Sequence, residues 1–334
     1  MSPQTKHIVI GATGLIGSHL LLKLLSEGIH CVAGFKSEHS KDTVKKLFHN
    51  FKSDSLFELI QWEEIDVCDL YLLENIISCD SIVYNCSGIV SFSQRDEEKL
   101  EQINIIGVRN IVNVCLSKRV KKLIHLSSVA ALGGDDKREI NETNTIKNAT
   151  QLGVYANSKY LGELEVWRGI EEGLMAVILN PSVVVGEGDE NKSSSMLFKF
   201  TKGTFGLYTK GATGYVDVKD VVNAIIAISN SDISGERYIL NGVNLKYEEA
   251  FTLIRKQYNL YRLTEVPPFV IKMVANTSAF FSFIGLTKDF LPKSATESAL
   301  NKKSYSSKKF QNVFNYNFIP FDESVKRIAQ FYLS

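Results

Sequence analysis

Close to its start the chain reads "HIVIGATGLIGSHLLLKLLSEG", an apolar strand from His7 to Ile10 that runs into three glycines and out into an apolar pattern of helical spacing. Gly11, Gly14 and Gly17 stand at the spacing GxxGxxG. Few folds accommodate a strand, a glycine turn and a helix in that order. The turn makes a phosphate cradle: glycine lets the backbone come close to a pyrophosphate, and the helix N-terminus offers unpaired N–H groups and the positive end of a dipole. A glycine triplet in isolation would be a tight turn and no more. With the strand before it and the helix after it, Gly11, Thr13, Gly14, Leu15, Ile16 and Gly17 become candidates for holding a dinucleotide.

The same alternation continues through the first half. Apolar runs suited to strands occur at His30 to Phe35, Leu59 to Asp66, Ser81 to Ser87, Lys122 to Ser128 and Met175 to Gly186. Helix-spaced segments lie among them, including Gly14 to Ser26, Glu97 to Ser117 and Val154 to Glu172. Near-continuous apolar strands alternating with helices predict an α/β fold, a doubly wound parallel sheet of the Rossmann kind covered on both faces. Residues 1–186 are expected to form this dinucleotide-binding core. Beyond Gly186 the pattern loosens into short helices and one isolated strand, Arg237 to Leu240. Residues 187–334 are therefore expected to form mainly a smaller α+β substrate lobe, with a segment at about 215–240 returning to the core.

Composition narrows the partners. Of 334 residues, 38 are Lys or Arg and 37 are Asp or Glu, a formal net charge of +1 that gathers neither nucleic acid nor an anionic membrane surface. A small molecule is the expected partner. Five scattered cysteines, Cys31, Cys68, Cys79, Cys86 and Cys115, contain no CxxC pair and suit a reducing compartment. The six histidines form no ligand pair, so no metal is expected. The opening "MSPQTKHIVI" lacks the basic start and apolar core of a secretory signal, which predicts a cytoplasmic protein. The apolar stretch Pro267 to Leu286 is interrupted by Lys272, Asn276, Thr277 and Ser278, and reads as a lid, core or interfacial helix rather than a membrane span.

At the end of the second strand the chain reads "AGFKSEHSKD". An acidic side chain there would hold the ribose hydroxyls of NAD, whereas a cation and a hydroxyl suit the 2′-phosphate of NADP. Lys36 and Ser37 occupy the position, with Lys41 nearby, so NADP(H) is preferred; Glu38 keeps NAD(H) open. In "IDVCDL", Asp66, followed by Val67, could accept from the adenine amine, and Asp69 better fits a helix N-cap. After the fourth strand, "NCSG" brings the small residues Cys86, Ser87 and Gly88 to the sheet edge, where bulk would exclude a cofactor.

In "VYANSKYLGELEVW", Tyr155 and Lys159 stand four residues apart on a helix, and so share one face with Cβ atoms about 5–6 Å apart. An ammonium held beside a phenol favours the phenolate, and draws a group whose ordinary pKa is about 10 toward proton transfer at neutral pH. The pair alone is common on helices. It gains meaning from "KLIHLSSVAALGG", in which a strand delivers Ser127 and Ser128 to the same sheet edge. A hydroxyl there could hold a substrate carbonyl against the phenol. Leu161, Leu164, Val166 and Trp167 would then be the apolar support of the helix.

With these residues in place, the chain resembles the extended branch of the short-chain dehydrogenase/reductase superfamily, which contains NAD-dependent epimerases and dehydratases, dihydroflavonol reductases and 3β-hydroxysteroid dehydrogenases. "GATGLIG", "DVCD", "NIIGVRNIVNVC", "LSSVAALG", "YANSK", "NPSVVVG" and "YVDVKDVVNAI" occur in the family's order across nearly the whole chain. The resemblance implies Ser128, with Ser127 as the alternative, as the carbonyl-orienting hydroxyl and Tyr155 as the acid-base. It implies Lys159 as the residue that lowers the tyrosine and binds the nicotinamide ribose, Pro181, Ser182 and Val183 as the nicotinamide lining, and a mostly structural role for Asn104.

Nucleotide-sugar members of the branch often carry an arginine just ahead of the segment matching "TGYVDVKD", where this chain has Thr213. "KYLGELEVW" and "NPSVVVG" look closer to dihydroflavonol-reductase-like members. That likeness implies NADPH-dependent reduction of a ketone or aldehyde of a hydrophobic or aromatic small molecule, enclosed by Phe205, Leu207, Tyr208 and the Pro267 to Leu286 stretch. A nucleotide-sugar epimerase or dehydratase with bound NAD is the alternative. A non-catalytic NADP-binding regulator is a further one, against which the intact serine, tyrosine and lysine speak. Relatives are monomers or pair through helices matching Glu97 to Ser117 and Val154 to Glu172, so a monomer or homodimer is expected.

Overall fold

Side chains alternate across a strand, and β1 (His7–Ile10) sends Ile8 and Ile10 to one face and Val9 to the other. All three are at most 1% exposed, which requires a sheet covered on both sides. The computed structural model describes residues 5–134, 138–146, 152–189, 196–202, 206–283 and 293–333. In chain order the other strands are β2 (Cys31–Phe35), β3 (Gln61–Glu64), β4 (Ile82–Asn85), β5 (Lys122–Leu126), β6 (Ala176–Pro181), β7 (Val183–Val185), β8 (Gly206–Tyr208), β9 (Ala212–Asp217), β10 (Glu236–Leu240), β11 (Val243–Lys246) and β12 (Leu263–Glu265). Seven of them form one parallel sheet in the order β10-β6-β5-β4-β1-β2-β3. This is the doubly wound Rossmann architecture expected from the alternation. Because β1 pairs with β2 on one side and β4 on the other, a crevice opens at their C-terminal ends.

The helices that frame this crevice are α1 (Leu15–Ser26), α2 (Glu38–Asn50), α3 (Gly107–Lys118), α4 (Val154–Glu171), α5 (Val218–Ser229) and α6 (Phe321–Leu333). Leu20, Leu21 and Leu24 of α1, with Val221, Val222 and Ile225 of α5, cover the Val9 face. Val108, Ile111 and Val112 of α3, with Val166 of α4, cover the Ile8 face. Each such side chain contributes about 1.5–3 kcal/mol by leaving water, so the sheet edge that carries the site is held by packing on both sides. A separate cluster, including Phe198, Tyr215, Phe251, Ile254 and Ile328, forms the core of the C-terminal region. Around it lie a three-stranded sheet, β11-β9-β7, and the pair β12-β8.

The structure departs from the sequence pattern at several places. Met175 to Gly186 is two strands: β6 ends the main sheet at Pro181, which has no N–H to extend a ladder, and β7 begins in the other sheet at Val183. Arg237 to Leu240 is not isolated, because β10 pairs with β6 along its length as the edge strand of the main sheet. The helix read from Glu97 to Ser117 is interrupted by a π-helical turn at Gln102–Ile106. There the Asn104 side chain turns inward and its backbone meets α4 at Gly162, where a Cβ would collide with the Asn104 carbonyl. This close approach also explains why the buried face of α4 is Ser158, Lys159, Gly162, Glu163, Val166 and Gly169 rather than an apolar stripe. Leu164, expected as support, is 44% exposed.

Among the described residues no helix is long and apolar enough to cross a membrane. The Pro268–Phe283 helix buries Ile271 and Ala275 and exposes Phe269 and Met273; residues 284–286 of that stretch, and Phe205, lie outside the described residues. Tyr208 packs against the C-terminal core and Leu207 faces solvent, so neither is placed by its packing in a substrate pocket.

Candidate active site

At the end of β1, Gly11 has φ +78, and a Cβ on it would stand 2.6 Å from the Ser87 nitrogen. Only glycine lets the first turn lie this close to the end of β4. Gly17 fits beneath the Gly11 carbonyl for the same reason, and the Gly14 nitrogen donates to the Gly11 carbonyl at 3.1 Å. Gly14 is the N-cap of α1 and supplies no side chain to cap it, so the first N–H groups of the helix, including those of Leu15 and Ile16 after Thr13, are left facing the crevice. A cradle without side chains, opening on an uncapped helix N-terminus with no acidic residue in its first turn, fits a pyrophosphate.

Beyond it, Lys36 donates from Nζ to Asp66 Oδ2 at 2.7 Å. Lys36, with a backbone donor from Cys68, holds the Asp66 carboxyl below the usual carboxylate range. The cation and the carboxylate expected to meet opposite ends of the adenosine therefore meet each other. Ser37 is the N-cap of α2, with no side-chain cap hydrogen bond of its own. Glu38 pairs with Lys41 at 2.8 Å, and Lys41 lies 3.7 Å from the centre of the Phe35 ring. Asp69 caps the Leu70–Ile76 helix, accepting from Tyr71 and Leu72 nitrogens, which leaves Asp66 free of that task. Val67 is buried.

The loop after β4 passes between the cradle and α4. Cys86 donates its N–H to the Ile10 carbonyl at 2.9 Å, and burial pushes its thiol up to about 12. Ser87 donates its N–H and hydroxyl to Asn85 Oδ1, at 3.1 and 2.6 Å. The Asn85 amide faces His125 Nδ1 at 3.0 Å, and burial together with Lys159 brings the imidazole down to about 3, so it is neutral. Asn104 closes the loop from behind: it exchanges hydrogen bonds with the Ile89 backbone at 3.0 Å in each direction and donates to Ser158 Oγ at 2.9 Å.

Ser128, Tyr155 and Lys159 converge at this edge. The Ser128 hydroxyl oxygen accepts the Ala130 N–H at 3.1 Å, and Ser128 lies near enough to Tyr155 to act on its phenol. Ser127, the alternative, is buried and lies beside Glu163. Tyr155 is partly buried, with the Phe92 ring edge-on at 5.8 Å. Burial pushes its phenol up and Ser128 pulls it down, with the net shift upward. The Lys159 ammonium, which donates to the Leu126 carbonyl at 3.2 Å, does not offset that rise, so the lowered phenol expected from the pair is not found. Lys159 itself is buried, and burial brings it down to about 8 against the opposing effects of Glu163 and Cys86.

Pro181 ends β6, Ser182 donates its N–H to the Leu240 carbonyl at 2.9 Å with its own hydroxyl buried and without a partner, and Val183 pairs with Tyr215. Sequence reasoning missed Glu163, Asn180 and Arg237, which gather behind Lys159: Arg237 reaches Glu163 at 3.1 Å, and Asn180 donates to both Glu163 and the Ser128 carbonyl. The available signal was spacing, since Glu163 follows Lys159 by the same interval as Lys159 follows Tyr155. Among the described residues no cluster of three or more His, Cys, Asp or Glu could hold a metal.

Residues 7–240 match the family model described as the NAD dependent epimerase/dehydratase family. The chain is 27% identical over 248 residues to the "Putative dihydroflavonol 4-reductase" of Synechocystis sp., covering 72% of this chain and 68% of that protein. It is 27% identical to cinnamoyl-CoA reductase 1 of Petunia hybrida, covering 69% and 71%. Its fold is similar to that of the Bordetella bronchiseptica enzyme WbmH, solved in complex with NAD+, with a TM-score of 0.74 at 16% identity over 99% of this chain and 98% of that one.

Proposed function

Since the chain belongs to the NAD dependent epimerase/dehydratase family, we propose that it is an NADP(H)-dependent reductase. Its substrate is a ketone or aldehyde of a hydrophobic or aromatic small molecule, and Ser128, Tyr155 and Lys159 form the reacting set. The observation that carries this is the placement of the Ser128 hydroxyl close enough to the Tyr155 phenol to pull it down, beside a buried Lys159, at the sheet edge where the glycine cradle opens. Similarity to reductases of dihydroflavonol and cinnamoyl-CoA type supports the reaction class.

The side chains suit reduction. Ser128 Oγ already accepts the Ala130 N–H, so its own proton is available to the phenol or to a carbonyl oxygen. Burial keeps the phenol protonated at neutral pH, which is the form a general acid needs. Tyr155 gives its proton to the carbonyl oxygen, and the Lys159 ammonium then offsets the charge left on the phenolate. Gly11, Thr13, Gly14, Leu15, Ile16 and Gly17 would hold the pyrophosphate of NADP(H) and Lys36 and Ser37 its 2′-phosphate, and the bound cofactor would supply the hydride. Asp66 and Val67 would border the adenine, and Cys86, Ser87, Gly88, Pro181, Ser182 and Val183 the nicotinamide end.

One observation favours a second reading, an NAD-linked nucleotide-sugar epimerase or dehydratase. Lys36 and Lys41 are paired with Asp66 and Glu38, so both cations at the ribose end are already neutralised. Oxidation of NADPH and of NADH across a panel of carbonyl compounds tests the two together. Reduction of an apolar ketone or aldehyde with NADPH is expected; nucleotide-sugar turnover without added cofactor would replace the first reading with the second.

A further inference from the structure

Glu163 stands one helical turn beyond Lys159, so α4 sets Tyr155, Lys159 and Glu163 in one row along the face it turns to the sheet. The last of the three is fully buried. A carboxylate is tolerated there only if donors or cations meet both oxygens, and they do. Asn180 Nδ2 of β6 donates to Oε1, the Arg237 guanidinium of β10 stands 3.1 Å from Oε2, and Ser127 at the end of β5 lies beside them. Arg237 is itself seated over the Trp167 ring, 5.2 Å from its centre. Burial pushes the Glu163 carboxyl up, and Arg237, Ser127, Asn180 and Lys159 pull it back only in part, with the net shift upward.

Lys159 looks out on a different set. Glu163 from its own helix and Cys86 from the loop after β4 support its charge, and His125 on β5 is neutral. Cys86 has a thiol pushed up to about 12, so at neutral pH it carries no charge to pair with the ammonium. Glu163, with the Arg237 guanidinium 3.1 Å from its Oε2, is the acid among these groups that has a cation set against it. Its placement is fixed, because Asn180 spends one amide proton on Glu163 and the other on the Ser128 carbonyl at 2.9 Å.

We propose that Glu163 is a positioning residue of this site, acting through Lys159 as the buried counter-charge that holds its ammonium in place. The inference rests on the function proposed above for Ser128, Tyr155 and Lys159. A carboxylate that only braced the fold would leave the lysine's titration alone. A counter-charge must move it, since removing an anion disfavours a nearby ammonium.

The test is an NMR titration of the chain carrying 13Cε-lysine and 13Cδ-glutamate, with the two signals assigned from Lys159→Arg and Glu163→Gln. The Lys159 midpoint is expected near 8 in the wild type, lower by about one pH unit in Glu163→Gln, and returned toward the wild-type value in Glu163→Asp. The Glu163 signal of the wild type is expected to be that of a carboxylate at neutral pH. An unmoved Lys159 midpoint in a folded Glu163→Gln would overturn the proposal, and so would a wild-type Glu163 protonated at neutral pH, which is read even if no variant folds. None of these signals depends on turnover. A chain that reduced no carbonyl would refute the proposed function without touching them.

Discussion

Gly88 and Lys159 lie so close that a Cβ on the glycine would stand 2.9 Å from the lysine Nζ and 3.3 Å from Asn104 Oδ1. The loop after β4 and the α4 lysine are therefore fitted to each other through a residue with φ +152, a conformation that side chains resist. Gly88→Ala is expected to cost about 1–3 kcal/mol in backbone strain. It should also lower kcat more than about tenfold by displacing the ammonium. Urea denaturation and steady-state kinetics on the same sample check both, and retention of full turnover would show that Lys159 is not fixed by this contact.

The Lys36–Asp66 pair makes a second expectation specific. If the 2′-phosphate takes the Lys36 ammonium from Asp66, Lys36→Met should weaken NADPH binding by about tenfold or more, the worth of one charge-assisted hydrogen bond. NADH binding should be nearly unchanged. Because the lysine is exposed, the melting temperature should hardly move. Equal losses for both cofactors would remove Lys36 from the phosphate site.

Lys159 gives the pH dependence its sign. If turnover needs its ammonium, as the proposed function requires, kcat should fall as pH rises through about 8. Stability responds in the opposite sense. A lysine whose folded pKa lies below its unfolded one favours unfolding while protonated in both states, and this cost is relieved as pH rises from about 8 toward the ordinary lysine value. An alkaline loss of activity at constant or increasing resistance to urea is thus expected. Coincident loss of fold and activity would assign the limb to unfolding.

The glycine cradle and the Ser128, Tyr155 and Lys159 set were readable because each rests on a local pattern: a strand running into glycines, a strand ending in serines, and two side chains one helical turn apart. The polar cluster behind them was not. Glu163, Asn180, Arg237 and Ser127 come from four elements, and a glutamate in "GELEVW" reads as a solvated helix position until β10 is known to lie at the sheet edge. The π-helical turn at Gln102–Ile106 was hidden for another reason, since one extra residue in a turn scarcely disturbs apolar spacing; within it the Asn104 side chain bonds to Ile89, fifteen residues earlier.

Arg327 of α6 ties the end of the chain to the sheet. It reaches Glu187 at 2.6 Å and both oxygens of Asp217 at 2.8 and 2.9 Å, and Glu187 is in turn met through its backbone by His19 of α1 at 2.8 Å. Glu187 and Asp217 are buried, so Arg327→Met would leave two buried carboxylates without their cation. A loss of about 3–5 kcal/mol is expected, read from urea denaturation at neutral pH. A change below about 1 kcal/mol would show that water reaches and solvates the pair.

The most direct measurement removes one oxygen atom. Tyr155→Phe keeps the ring beside Phe92 and deletes the phenolic proton that Ser128 meets. Turnover of an NADPH-reduced carbonyl substrate is predicted to fall by about 10²–10⁴-fold, with NADPH affinity, followed by nucleotide fluorescence, staying within about twofold of the wild type. A phenylalanine variant that turns over at the wild-type rate would contradict the assignment of Tyr155 as the proton donor.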